Sequence, residues 1–450
     1  MNLSDLLRQR ASEDKPLRVA LIGAGKFGSM FLAQARRTPG IHVVAVADLD
    51  PRRAHGSLER VGWTGERTGA RSFDEARRKG TTCVTDDAAA AIASDATEIV
   101  IDATGSPAAG IRHALACCKH GKHVVMVNVE ADCLAGPLLA RRAREAGIIY
   151  SLAYGDQPAL ICELVDWART AGFDVVAAGK GTRYLPAYHE STPETVWGHY
   201  GFSPEQVAQG DFNAQMFNSF LDGTKSAIEM AAVANATGLA PAPDGLSFPP
   251  CGTDDLARVL KPAAEGGALH HRGQVEVVSS LQRDGRPIAR DLRWGVYVTL
   301  AADSEYVRRC FNEYGLATDE SGNYAAMYKP YHLIGLELGI SVAAVGLRRE
   351  PTGAPTGFRG DVAAVAKRDL AAGATLDGEG GYTVWGRLLP ARDSLAQGGL
   401  PIGLAYRVRL TRAVKKGDIV TWRDIALPET EAARVRLEME ALFRREWGIR

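Results

Sequence analysis

The sequence predicts an α/β fold: a doubly wound parallel sheet first, then an α+β region, then a small β-rich end. Two observations predict the sheet. Apolar runs of strand length alternate with helical stretches from Leu17 to Gly155, and glycine-rich turns fall where strand should give way to helix. A third observation, the fading of this alternation beyond Gly155, marks the later regions.

Residues 1–16 read as a helical arm. From Leu17 the chain gives an apolar strand, a glycine turn, a helix and a second strand ending at Asp48, which is a βαβ unit. EIVIDATG (98–105), KHVVMVNVE (122–130) and GIIYSLAYG (147–155) supply further strands, so residues 17–155 form one domain. Residues 156–355 form a substrate and dimerisation domain in which WGVYVTLAAD and the run beginning LELGISVAAVGL read as strands. RREPTGAPTGFRGD (348–361) has the Pro and Gly content of a linker. Residues 356–430 hold two echoes, each a strand, a polar turn with Gly373 or Gly417, and a short strand. In residues 431–450, Val435, Met439 and Leu442 share one face of a helix that should dock onto the body.

A chain of 450 residues suits about three domains. Its 53 Lys and Arg balance 53 Asp and Glu, which removes the charge excess that a general phosphate-backbone binder uses. Nucleic acid is therefore not an expected partner. A hydrophobic content of 46% with 24% charged residues fits a folded chain. Seven cysteines without a CxxC pair point to a reducing cytoplasm. Asp5, Glu13 and Asp14 interrupt the basic N-terminus, and the chain has neither a signal-type apolar run nor a membrane-length one. A small molecule is the expected partner.

Gly23, Gly25 and Gly28 form GxGxxG between a strand and a helix. In this Rossmann pattern the first glycine permits the turn, the second admits a pyrophosphate and the third lets helix and strand pack. Lys26 and Phe27 lie within the motif, and Asp48 follows 20 residues beyond Gly28, placed to accept from ribose hydroxyls and so to favour NAD. Arg52 and Arg53 follow it and suit a 2′-phosphate, so the cofactor is NAD or NADP. Thr104 and Gly105 in DATGSP, and Asn128 and Glu130 in NVEAD, follow strands whose carboxyl ends should border the nicotinamide. Glu130 suits an acid, a base or a metal ligand, and Asp132 reads equally as the residue that opens a helix.

In the second domain Lys180 and Arg183 stand among glycines and suit an anionic substrate group. Asp222 and Lys225, three apart, share a helical face with Glu229 if the helix has begun; an exposed ion-pair ladder is the plainer reading. Lys329, Tyr331, His332 and Glu337 could bind and polarise a substrate oxygen, although a lone histidine such as His332 is as readily structural. His270 and His271 lack partners at metal-ligand spacing, and Cys117 and Cys118 read as core.

VALIGAGKFG, IDATGSP, VVMVNVEAD, GIIYSLAYGDQP, AAGKG, FLDGTKSAIEMAAVANATGL, LKPAAEGG and YKPYHLIGLE together resemble the homoserine dehydrogenase-like oxidoreductases that carry a C-terminal SAF domain. AVAKRDLAAGATL and RAVKKGDIVTWRDI resemble the two halves of that SAF module. The resemblance extends to the 1-deoxy-D-xylulose 5-phosphate reductoisomerase-like type, which isomerises a hydroxyketone phosphate and reduces the product to 2-C-methyl-D-erythritol 4-phosphate. It implies NADPH, a homodimer and a substrate site lined by Lys180, Lys225 and His332, with Arg183 and Lys329 available to a phosphate and Asp222, Glu130 and His332 as acid or base. A divalent metal is compatible with this reading but no residue pattern indicates one. The alternatives are an NAD-dependent dehydrogenase of a small hydroxy acid, polyol or homoserine-like substrate, and a non-catalytic dinucleotide sensor.

Overall fold

The computed structural model describes residues 2–209 and 212–449. It divides into two compact units, Met1–Leu160 with His332–Thr356, and Ile161–Tyr331 with Gly357–Arg450.

The first unit is built on a six-stranded sheet of β1 (Leu17–Ile22), β2 (Ile41–Ala47), β3 (Cys83–Thr85), β4 (Ile99–Asp102), β5 (His123–Met126) and β6 (Tyr150–Leu152). The strands run in the order β3-β2-β1-β4-β5-β6, and every pairing is parallel. Such a sheet is covered on both faces, which explains near-continuous apolar runs such as Val19–Ile22 and Ile99–Ile101. The strand order reverses between β1 and β4, and the crevice at the carboxyl ends there is where ligands bind in open α/β sheets.

The segment LELGISVAAVGL is not a strand. It forms the helical turns Gly339–Ala343 and Ala344–Arg348, and Leu338, Val342 and Val345 join Leu21, Phe31 and Ile101 in the core of the first unit. Their spacing of three and four is helical, and it returns residues 332–356 to this unit instead of the preceding domain. The Pro- and Gly-rich stretch is pinned there too. Leu152 N–H donates to the Gly353 carbonyl (2.7 Å), Thr352 N–H to Ser151 Oγ (2.9 Å) and Thr352 Oγ1 to the Leu152 carbonyl (2.8 Å).

The second unit carries a sheet in the order β10-β9-β7-β8, from β7 (Asp174–Thr182), β8 (Gln274–Ser279), β9 (Val296–Ala301) and β10 (Tyr324–Lys329). Further on, β11 (Gly360–Ala366) pairs antiparallel with β13 (Val384–Pro390), and β12 (Thr375–Asp377) with β14 (Tyr406–Arg409). The helix Thr224–Thr237 lies between β7–β8 on one side and β11–β13 on the other. Sandwiched in this way, it is largely apolar and small-residued, with Ala227, Met230, Ala231 and Ala234 buried and Glu229 the charged exception among them. A Cβ on Gly360 would sit 3.2 Å from Ala231 Cα, so the residues from 357 onward are seated directly on this helix.

The chain closes with the helix Glu431–Trp447. Val435, Met439 and Phe443 are buried on it, whereas Leu442 is only partly so. No helix among the described residues is long and apolar enough to cross a membrane.

Candidate functional site

The turn after β1 has the form a dinucleotide pyrophosphate requires. Gly23 has φ +98°, and a Cβ there would meet the Ala103 carbonyl oxygen at 2.6 Å. A Cβ on Gly28 would lie 2.3 Å from the Gly23 carbonyl oxygen, so the helix Lys26–Ala35 approaches the turn only because none is present. Around Gly25 nothing lies within 4 Å of the Cβ position, leaving room for a phosphate at the positive end of the helix. These residues fit a nicotinamide dinucleotide. Lys26 is exposed and Phe27 partly so in the first turn.

Asp48 directly follows β2, with its side chain only 1% exposed. Its Oδ2 accepts from Ala24 N–H (2.8 Å) in the glycine turn and its Oδ1 from Asp50 N–H (3.0 Å), while Arg53 Nη2 lies 2.8 Å from each oxygen. Burial pushes the carboxyl pKa up, but Arg53 and the two N–H donors outweigh it and hold the group below its ordinary value. Arg53 is thus committed to Asp48 although its side chain is exposed, and the exposed Arg52 lies 3.5 Å from Asp50.

At the end of β4, the buried Asp102 accepts from Thr104 N–H (3.1 Å), Thr104 Oγ1 (2.8 Å) and Asn128 Nδ2 (3.3 Å), and its Oδ2 lies 2.6 Å from His113 Nδ1. Gly105 follows with φ +65° and is exposed. Asn128 Nδ2 also donates to Thr104 Oγ1 and the Ser106 carbonyl, and Asn128 Oδ1 accepts from Ala131 N–H (3.1 Å). Asn128 therefore ties the β4 loop to the N-terminus of the helix Val129–Glu145, which it caps.

Because Asn128 takes the cap, Asp132 does not open the helix. It lies inside, fully buried, with Tyr150 Oη donating to Oδ1 (2.9 Å) and Oδ2 without a hydrogen-bond partner. Glu130 is in the first turn of the same helix and partly buried. Burial pushes the Asp132 pKa from 3.8 up to about 7, against the pull of the Tyr150 hydrogen bond. A folded pKa raised above the unfolded one gives stability that is complete below pH 3.8 and lost as pH rises through about 7. Asp132→Asn is expected to remove this loss, which amounts to as much as about 4 kcal/mol. Urea unfolding at pH 5 and pH 8 captures about 2.5 kcal/mol of it, since the unfolded carboxyl is already ionised at pH 5, and an unchanged difference between the two pH values would count against the burial argument.

In the second unit, three lysine–carboxylate pairs are buried among the described residues, one of them Lys261–Asp319 (2.8 Å). Lys180 on β7 contacts Glu229 of the helix Thr224–Thr237, with side chains 6% and 4% exposed. Lys367 Nζ lies 2.7 Å from Asp222 Oδ2, and donates to the Ser191 and Gly381 carbonyls (2.8 Å each). Asp222 and Lys225 do not share a helix. Gly223, at φ +89°, breaks the chain between them, and the helix starts at Thr224, whose N–H donates to Asp222 Oδ1 (2.9 Å). Lys225 is partly buried in the first turn.

His189 lies beside this turn, with Nδ1 2.7 Å from the Asp222 carbonyl oxygen and Nε2 2.8 Å from Tyr184 Oη. Its ring stacks on Trp385 at 3.8 Å, and burial lowers its pKa. Lys329 contacts Glu163. Arg183 is partly buried. Lys180, Arg183, Asp222, Lys225 and Lys329 thus belong to the second unit, and Glu130, Asn128 and His332 to the first. Glu229 already appears in the sequence pattern, and Lys367 lies within AVAKRDLAAGATL without standing out as a site residue, whereas His189 and Trp385 are brought to this turn by the tertiary fold. Among the described residues, no group of three or more His, Cys, Asp or Glu side chains is arranged to hold a metal ion.

Residues 23–151 match a family model described as the NAD binding domain of homoserine dehydrogenase. Residues 155–338 match one described as the catalytic domain of oxidoreductase DRL. No curated protein matches the chain. Among solved structures, the chain is similar to an NAD binding oxidoreductase from Klebsiella pneumoniae, with 18% identity over 39% of this chain and 45% of that one and a TM-score of 0.29. It is similar to myo-inositol dehydrogenase from Lactobacillus casei, solved with NAD(H) and myo-inositol, with 14% identity over 40% of this chain and 50% of that one and a TM-score of 0.28. A "probable dehydrogenase" from Thermotoga maritima gives 13% identity over 76% of this chain and 91% of that one, with a TM-score of 0.37. The match spans less than half of the Klebsiella protein, and these likenesses are too distant to bear on the chemistry. The two domain matches and the glycine cradle make the chain an NAD(P)-dependent oxidoreductase, with NAD or NADP as its cofactor.

Proposed function

We propose that the protein isomerises a hydroxyketone phosphate and reduces the product, converting 1-deoxy-D-xylulose 5-phosphate to 2-C-methyl-D-erythritol 4-phosphate. The observation that carries this reading is the buried Lys180–Glu229 pair within the segment that matches the DRL catalytic domain. In the overall balance, substrate, NAD(P)H and one proton give the branched polyol phosphate and NAD(P)⁺. The bound dinucleotide supplies the hydride.

Lys180 is the proton donor in this scheme. Its ammonium group hydrogen-bonds the carbonyl oxygen as negative charge develops there and delivers the proton, while the Glu229 carboxylate holds the ammonium in place, takes up the hydroxyl proton that the rearrangement releases and passes it back to the amine. Asp222 is occupied by Lys367 and Thr224 N–H, so its part is to fix the turn that launches the Lys225 helix. Of the cations suited to a phosphate, Lys180 and Lys329 are engaged with glutamates, and the substrate's anionic end falls to Arg183. The resemblance extends the proposal to a SAF-type module after residue 356, a homodimer and a cytoplasmic location.

A second reading, an NAD-dependent dehydrogenase that leaves the carbon skeleton intact, is favoured by Asp48, whose charge at the end of β2 disfavours a 2′-phosphate. The carbon NMR spectrum of the product separates the two. A methyl group on a new quaternary carbon is expected, and an unbranched product would move the assignment to the dehydrogenase.

A further inference from the structure

Other arginines of the second unit without a carboxylate partner are exposed or bond a carbonyl, whereas Arg183 and Arg293 are partly buried and have neither among the described residues. Neither side chain has an ion pair or a hydrogen bond to any described residue, although both are partly buried. The Nε of Arg183 is shut off from solvent and has nothing to donate to. The backbone brings the two together. Gly181 N–H, at the end of β7, donates to the Gly295 carbonyl (3.1 Å). A Cβ on Gly181 would sit 1.9 Å from the Leu292 carbonyl oxygen, so glycine is what allows the two segments to press against each other.

Around them the walls are aromatic. The Arg293 guanidinium lies 4.6 Å from the Trp294 ring and 5.7 Å from the Tyr200 ring, and Tyr188 packs on His199 at 4.9 Å. Burial, together with the positive charge of Arg183, lowers the pKa of Arg293, and both guanidinium charges act on the Tyr200 hydroxyl. Two like charges held together in a partly desolvated site, with donors left over, require an anion. Their planar forks match tetrahedral oxygens better than an ammonium would.

We infer that Arg183 and Arg293 form a binding site for a phosphate monoester, with the Tyr200 hydroxyl beside it. This rests on reading the substrate as phosphorylated, and it assigns that phosphate to the second unit. Arg293 stands among no motif, and only the contact between the end of β7 and the 292–295 turn brings it to Arg183.

The test is calorimetric titration of the full-length protein with inorganic phosphate, beside peptide mapping of arginine modification by phenylglyoxal with and without phosphate. Wild type is expected to bind in the millimolar range or tighter, with Arg183→Met and Arg293→Met each weaker by about tenfold or more. Phosphate should also slow modification of both arginines in the wild-type protein, a readout that needs no variant to fold. Phosphate binding unaffected by either substitution, or modification unaffected by phosphate, would overturn the site. Turnover of the hydroxyketone phosphate without such protection would retain the reaction and discard the site. Protection without turnover would retain the site and discard the reaction.

Discussion

A Lys180→Met, Glu229→Gln double variant is expected to lose about 10²–10⁴ in kcat, the range for removing a positioned proton donor. Both changes are needed. Lys180→Met alone would leave the Glu229 carboxylate buried without its partner, a defect that costs about 3–5 kcal/mol and would confuse inactivity with unfolding. Met and Gln keep the volumes close to those of the native pair and remove both charges. Dinucleotide binding belongs to the glycine cradle of the first unit, so titration with NAD(P)H should give a wild-type affinity while turnover collapses. Loss of less than about threefold in kcat would show that the pair is structural, because a group acting at the reacting oxygen contributes far more.

Arg436→Met should be the most destabilising substitution among the residues that hold the C-terminal segment. Arg436 is 0% exposed; Nη1 and Nη2 bond Asp361 at 2.9 and 2.6 Å, Nε bonds Glu440 at 2.9 Å, and the guanidinium lies 5.4 Å from the Phe358 ring. Burial opposes its charge, but Asp361 and Glu440 outweigh that and raise its pKa above the ordinary arginine value. Among the described residues the carboxylates have neutral donors besides: Ser394 Oγ to Asp361 (2.6 Å) and Trp422 Nε1 to Glu440 (3.2 Å). Removing the cation leaves two acids buried without a counter-ion, and about 3–5 kcal/mol of unfolding free energy should be lost. Urea unfolding measures this. A change below about 1 kcal/mol would mean that water reaches the network, as at a surface pair.

What the sequence shows and what it hides follow from how local each interaction is. Gly23, Gly25 and Gly28 act within one turn, so the cradle can be read directly from their spacing. The helix Val129–Glu145 is harder, because the apolar run continues past Met126 while Asn128, a residue with strong capping preference, ends the strand. Reading that run as strand to residue 130 puts Glu130 at a strand end and misses that Asp132 is inside a helix. Leu338, Val342 and Val345 are apolar in either a strand or a helix, and only their packing against Phe31 decides. Lys367 with Asp222, and Arg436 with Asp361 75 positions away, are pairings made by the tertiary fold alone.

The most direct measurement is a parallel titration of the purified protein with NADH and NADPH, followed by oxidation of the tighter-binding one with 1-deoxy-D-xylulose 5-phosphate, with and without Mg²⁺. Saturable dinucleotide binding is expected, with oxidation of the cofactor in step with formation of the branched polyol phosphate. Dinucleotide binding with that substrate inert, and turnover instead on an unphosphorylated hydroxy acid or polyol, would contradict the proposed reaction.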